Sequence, residues 1–153
     1  MNTKTLIFAF LIAVSGIVCA GDEQHTPKAG SKERQAICDG ARPFVIKNYV
    51  SSKELPQPLL FKIQRIQVAG NYCSFQALPV FKDGTPVGTD HIMDIVFDLC
   101  LKKTGETWEV IYDLSSTDVP SDTQLKQMWN DFPKDFPYTL IPEFWSKHFD
   151  RMK

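Results

Sequence analysis

Polar and apolar positions divide the chain into stretches of different rhythm. An apolar run from Leu6 to Val18 follows Lys4, and Val18-Cys19-Ala20 stands before Gly21. A positive residue, a short apolar segment and a small-residue cleavage site predict a secretory signal peptide over residues 1–20. The run is shorter than the roughly 20 residues that cross a bilayer, so no stable membrane span is expected after processing. Cys19 raises a lipoprotein alternative. Val18 stands where such sites carry Gly, Ala or Ser, which argues against it. Residues 21–30, GDEQHTPKAG, show no apolar period and are expected to form a flexible tether.

From Ser31, a plausible N-cap, the pattern becomes helical: Ile37, Ala41, Phe44, Val45 and Tyr49 recur on one face. Pro43 interrupts it, predicting a kink near Arg42 or a second turn that begins at the proline. After Pro56-Gln57-Pro58 the period shifts toward alternation, and four strands are expected at Leu59–Val68, Tyr72–Phe81, Ile92–Lys102 and Trp108–Leu114. Short links favour an antiparallel meander. With the second link centred on Pro86 and Val87, Cys73 falls opposite Cys100, Phe75 opposite Asp98 and Ala77 opposite Val96. With the third centred on Thr104 and Gly105, Leu101 meets Trp108, Leu99 meets Val110 and Phe97 meets Tyr112. One sheet face then collects Ile95, Phe97, Leu99, Leu101, Trp108, Val110 and Tyr112, and the helix should cover it.

The last stretch begins with the turn-forming cluster Ser115-Ser116-Thr117-Asp118. Ser121 and Gln124 have capping-box spacing, predicting a short helix through Trp129. Phe132-Pro133, Phe136-Pro137 and Ile141-Pro142 then read as an extended wrap, with Pro142 opening a final helical turn through Phe149. The expected fold class is α+β: an N-terminal helix packed on a four-stranded antiparallel meander sheet, followed by a proline- and aromatic-rich C-terminal wrap containing short helices. Residues 31–153 are expected to form one such domain.

Composition narrows the function classes. The net charge is −1 over 153 residues, with acidic and basic residues interspersed, so no nucleic-acid footprint is present. Export places the cysteines in an oxidising compartment. The register estimate puts Cys73 and Cys100 on adjacent strands and one face, which predicts a disulfide between them. It would close a loop of about 26 residues and contribute roughly 3–4 kcal/mol by chain entropy. Cys38 is left as a free thiol beside the helix stripe, a small buried hydrophobe unless a partner activates it. No metal is expected: His25 lies in the tether, His91 and His148 stand alone, and no Cys-x-x-Cys or His-x-x-x-His spacing occurs. No nucleophile elbow, Walker loop or dinucleotide fingerprint is present, so no cofactor is expected.

Two side-chain sets can carry function. Asp94, Asp98 and Asp113 are candidate acid/base groups if the protein is an enzyme. For Asp98 the structural alternative is a partly exposed ion pair with Arg65 on a polar sheet face. For Asp113 it is a turn-organising role. The aromatic set Trp129, Phe132, Phe136, Tyr138, Phe144, Trp145 and Phe149 could line a ligand groove, with Trp129, Phe132, Phe136, Tyr138 and Trp145 the candidate binding surface, in competition with packing of the wrap onto the domain.

The single helix, the meander with Gly70-Asn71-Tyr72-Cys73-Ser74-Phe75 opening its second strand, Trp108 to Tyr112 and the Ser116-Thr117-Asp118-Val119-Pro120 turn resemble a group of small, uncharacterised exported bacterial proteins. The order of elements is also similar to the cystatin-like and nuclear-transport-factor-two-like superfolds, in which a helix packs into a curved antiparallel sheet. Those folds host inhibitors, binding modules, immunity proteins and some enzymes. Enzymes of the second superfold use acids or histidines in a conical pocket, whereas the inferred pocket-facing positions here are Leu, Phe, Val and Trp. The resemblance therefore implies an exported, periplasmic or extracellular, non-enzymatic binding or inhibitory module. Its partner would be an envelope or secreted protein, such as an enzyme or toxin that it restrains, or an apolar small ligand. A small hydrolase or isomerase using a pocket carboxylate, and a structural envelope component, are the alternatives.

Overall fold

A computed structural model describes residues 23–50, 55, 57–87, 96–116 and 118–153. The expected signal peptide with Cys19, and the residues His91, Asp94 and Ile95, lie outside the described residues.

Helix α1 spans Lys32–Tyr49, with Ser31 as N-cap: its Oγ accepts from the Arg34 N–H at 3.2 Å, and Glu33 and Lys47 complement the helix dipole at the two ends. It runs unbroken across Pro43, so the proline does not begin a second element. Ile37, Ala41 and Val45 are fully buried on both sides of the proline, and that shared stripe holds the helix together against the lost hydrogen bond. Gly40 faces the sheet. A Cβ there would sit 2.8 Å from the Trp108 carbonyl carbon and closer still to its oxygen, so only glycine permits this approach.

Four strands come next, β1 (Leu60–Ala69), β2 (Tyr72–Val80), β3 (Phe97–Thr104) and β4 (Thr107–Asp113), in sheet order β1-β2-β3-β4 and antiparallel throughout. Gly70 and Gly105 take positive φ in the tight turns that join the outer pairs. Two bulges break the ladders. Gln64 is the extra residue of β1 and Ile111 that of β4. After the sheet come α2 (Asp122–Asp131), a 3-10 turn (Tyr138–Leu140) and α3 (Glu143–Asp150). α2 carries the full capping box between Ser121 and Gln124.

The sheet separates two cores. On the first face α1 covers Ile66, Val68, Cys73, Phe75, Phe97, Leu99, Leu101 and Trp108. On the second, the C-terminal segment lays Leu125, Phe132, Phe136, Leu140, Trp145 and Phe149 against Ala69, Cys100 and Leu114. The expected α+β architecture is thus present, with its wrap on the face opposite α1.

Several finer expectations are corrected. Cys73 pairs with Leu101, and Cys100 pairs with Ser74, one residue out of the expected register. A one-residue slip exchanges faces, so Cys73 lies in the α1 core and Cys100 in the other. No disulfide joins them; Cys38, Cys73 and Cys100 are all free thiols. The β3–β4 turn is Gly105-Glu106, so Leu101 meets Val110, and the Ile111 bulge then turns Tyr112 to the second face instead of the first. Residues 23–30 are not a loose tether. His25 exchanges backbone hydrogen bonds with Val68 at 2.9 and 2.8 Å, Gln67 Nε2 donates to Thr26 Oγ1 at 2.7 Å, and Pro27 is buried. Polar composition concealed this because the contacts are mostly backbone pairing along the β1 edge.

Candidate functional site

Alternation along β2 and β3 sends Ser74, Gln76, Asp98 and Cys100 to the second face, where the sequence pattern suggested solvent. The C-terminal wrap covers them instead. Asp98 is only 7% exposed and stands directly across from Gln76. Its main chain is held to the segment after β4: the Asp98 N–H donates to Ser115 Oγ at 2.9 Å, and the Leu114 N–H donates to the Asp98 carbonyl at 2.8 Å. On the side chain, Gln76 Nε2 and Trp145 Nε1 both donate to Oδ2, at 3.1 and 2.9 Å. Oδ1 is buried, and among the described residues no donor reaches it. Burial pushes the Asp98 carboxyl up to about 6. The Gln76 and Trp145 hydrogen bonds and the Arg65 guanidinium oppose the rise, and Asp113 adds to it.

Asp98 lines a cleft of about 290 Å³ between β2, β3, the segment after β4 and the start of α3. Gln76, Trp145, Leu114, Ser115 and Val96 surround it, and Ser116, Asp118, Val119 and Phe144 complete the lining. Val119 and Phe144 are 64% and 47% exposed. Among the described residues, two carboxylates and no Lys, Arg or His line the space. Arg65 is aimed toward this face by the Gln64 bulge, and its Nη1 donates to Ser74 Oγ at 2.5 Å and to the Leu140 carbonyl at 3.2 Å. The expected exposed Asp98–Arg65 ion pair is therefore corrected: Asp98 is buried, and the guanidinium is bonded elsewhere.

Of the candidate acids, Asp98 and Asp113 face opposite sides of the sheet. Asp113 sits on the α1 face, where Oδ2 accepts from the Tyr49 hydroxyl and Oδ1 accepts from the Ser115 N–H at 2.8 Å. Its carboxylate thereby ties the turn after β4 to the end of α1. Burial and the neighbouring Asp113 push the Tyr49 hydroxyl pKa up.

The candidate aromatic surface is also corrected. Phe132, Phe136 and Trp145 are buried, and Trp129 and Tyr138 pack on the same core. Edge-to-face contacts link Tyr112 to Phe132 at 5.1 Å and Phe132 to Phe136 at 5.6 Å, while Trp129 lies tilted against Phe149 at 5.3 Å. Proline-spaced aromatics here fill a core. Sequence reasoning missed Gln76 and Ser115; a correct β2–β3 register would have placed Gln76 beside Asp98.

The three thiols carry no activation. Burial raises the pKa of Cys38, Cys73 and Cys100, keeping each protonated at neutral pH. Among the described residues no cluster of metal-ligating side chains occurs, and no helix is long and apolar enough to cross a membrane. Comparison of the chain with protein-family models, with curated proteins and with solved structures found no match.

Proposed function

We propose that this chain is an exported binding module and that its site is the cleft over Asp98. The observation that carries the reading is an apolar rim around a buried, incompletely bonded carboxyl. Among the described residues the exposed large apolar side chains are Leu60, Val119 and Phe144, and two of these flank the cleft. Concave sites with apolar walls and a few convergent polar groups are the usual form of small-ligand sites. The volume suits a small molecule or one side chain of a partner protein, an envelope or secreted protein in the inhibitory version of this reading. Because the tail aromatics are spent on the core, a broad aromatic docking face has no support.

A fragment screen by two-dimensional NMR on 15N-labelled protein tests the proposal. Hits should perturb the Trp145 indole N–H and the backbone amides of Ser115 to Val119, and Phe144→Ala should weaken them. Hits that cluster elsewhere, with the Trp145 indole unmoved, would remove the cleft from consideration.

A second reading is favoured by one observation. A carboxyl held near 6 inside a cleft suits proton transfer at neutral pH, as a small hydrolase or isomerase would require. Recovery of a bound ligand chemically unchanged after prolonged incubation supports the binding module. Conversion that is lost in Asp98→Asn supports the enzyme.

A further inference from the structure

We infer that the Asp98 cleft selects a primary ammonium group carried on a short apolar body, and that the Asp98 carboxylate receives it. This rests on the cleft being the binding site. Four features of the site converge on that chemistry.

The first is the asymmetry of the carboxyl. Oδ2 takes two donors from the protein, which fixes the orientation of the group, while Oδ1 is buried without one among the described residues. Leaving a buried acceptor unbonded is unfavourable, so the carboxyl keeps unused acceptor capacity, and a donor brought to it gains more than it would from a solvated carboxylate. The second is sign. Asp118 joins Asp98 in the lining, which among the described residues contains no basic side chain. The side-chain N–H groups of Gln76 and Trp145 are already turned onto Asp98, so an anion would meet carboxylates. The third is the commitment of Arg65 to Ser74 and Leu140, which leaves its charge nearby but bonded to other acceptors. The fourth is the rim: Val119 and Phe144 offer apolar surface to a carbon chain whose head lies below them.

Free amines and the side chain of a partner's lysine share this chemistry. The charged and titratable groups around Asp98 among the described residues are Arg65 of β1, Cys100 of its own strand, Asp113 of β4 and Asp118. α3 adds Glu143, paired with Lys147 at 2.6 Å, and His148, whose ring lies 6.4 Å from that of Trp145.

Titration of the Trp145 indole N–H signal in the full chain with pentylammonium, pentan-1-ol, pentanoate and Nα-acetyl-lysine methylamide tests the inference. Pentylammonium should bind about tenfold or more tightly than pentanol, the discrimination expected of one charge-assisted hydrogen bond, and pentanoate should not bind. Lowering the pH from 7.5 to 5 should weaken pentylammonium about tenfold as Asp98 takes up its proton. Asp98→Asn should lose the preference for the cation, while the pH series on the unsubstituted chain provides the same test without a variant. Tighter binding of the lysine derivative assigns the site to a protein side chain; tighter binding of pentylammonium assigns it to a free amine. Equal binding of pentanol and pentylammonium, or binding of pentanoate, overturns the inference while the cleft remains a binding site. An indole unmoved by all four probes overturns it as well, and the fragment screen then decides whether the cleft reading falls with it.

Discussion

The face of the sheet under α1 and the face under the C-terminal wrap share four strands but differ in chemistry. Under α1 the contacts are almost wholly apolar, and the side chains at the boundary are satisfied locally, as in the pairing of Tyr49 with Asp113. Under the wrap the core is mixed. Aromatic rings pack around buried Ser74, Asp98 and the Arg65 guanidinium, and the packing stops short at the Asp98 cleft. Both bulges serve this second face: one turns Arg65 toward it and the other turns Tyr112. Both sides of the sheet carry an apolar core, but the buried polar groups and the proposed recognition site lie on the second. Polar groups are tolerated there because donors reach them from both sides: Gln76 of the sheet and Trp145 of the wrap donate to Asp98, and Arg65 donates to Ser74.

Substitutions on the two faces should separate these roles. The largest effect is expected from Phe97→Ala, which opens a cavity in the α1 core and should cost about 3–5 kcal/mol in urea unfolding, with protection lost across the whole sheet in hydrogen exchange. A loss confined to α2 and α3 would contradict the division. Gly40→Ala comes next. The new methyl group meets the Trp108 backbone, so α1 must move away from β4, at about 3 kcal/mol by thermal melting, while the Trp145 indole signal keeps its position.

Asp98→Asn should act in the opposite direction. A carboxyl raised by burial to about 6 contributes stability that is complete below its unfolded value near 3.9 and is lost as pH rises through the folded one. The unsubstituted protein should therefore be relatively weaker at pH 7.5 than at pH 4 through this group, and Asn should recover about 2–3 kcal/mol at the higher pH. Denaturant midpoints of both proteins at the two pH values check the sign, and an Asn variant that is less stable at pH 7.5 contradicts it. The smallest change is expected from Ser121→Ala. Loss of the cap should cost about 1 kcal/mol and show as faster exchange in α2 alone.

Local signals carried most of the architecture. Serine caps, the capping box, the turn glycines and the period of two located most helices and strands to within a few residues. Pairing register was less legible, because it depends on which residue of a turn is central. The choice of Thr104-Gly105 over Gly105-Glu106 displaced the β3–β4 pairs, and a single-residue error in the β2–β3 link put two cysteines on one face that belong on two. Bulges at Gln64 and Ile111 leave no mark in an alternation pattern that already tolerates exceptions. Asp98 stands out in the sequence as a candidate acid, but its pattern is that of a surface group. Ser74, Gln76 and Asp98 alternate as a solvated face would, and only long-range docking of Trp145 and its neighbours buries them.

The extra residue in β4 has a consequence for how this chain can change. With Ile111 in place, Tyr112 reaches the Met128 carbonyl on one side of the sheet, while Asp113 meets Tyr49 on the other. Removing one residue before Tyr112 reverses the parity of the rest of the strand, and both partners lose their seats together. Insertions and deletions at this strand should therefore be accepted in twos and rejected singly.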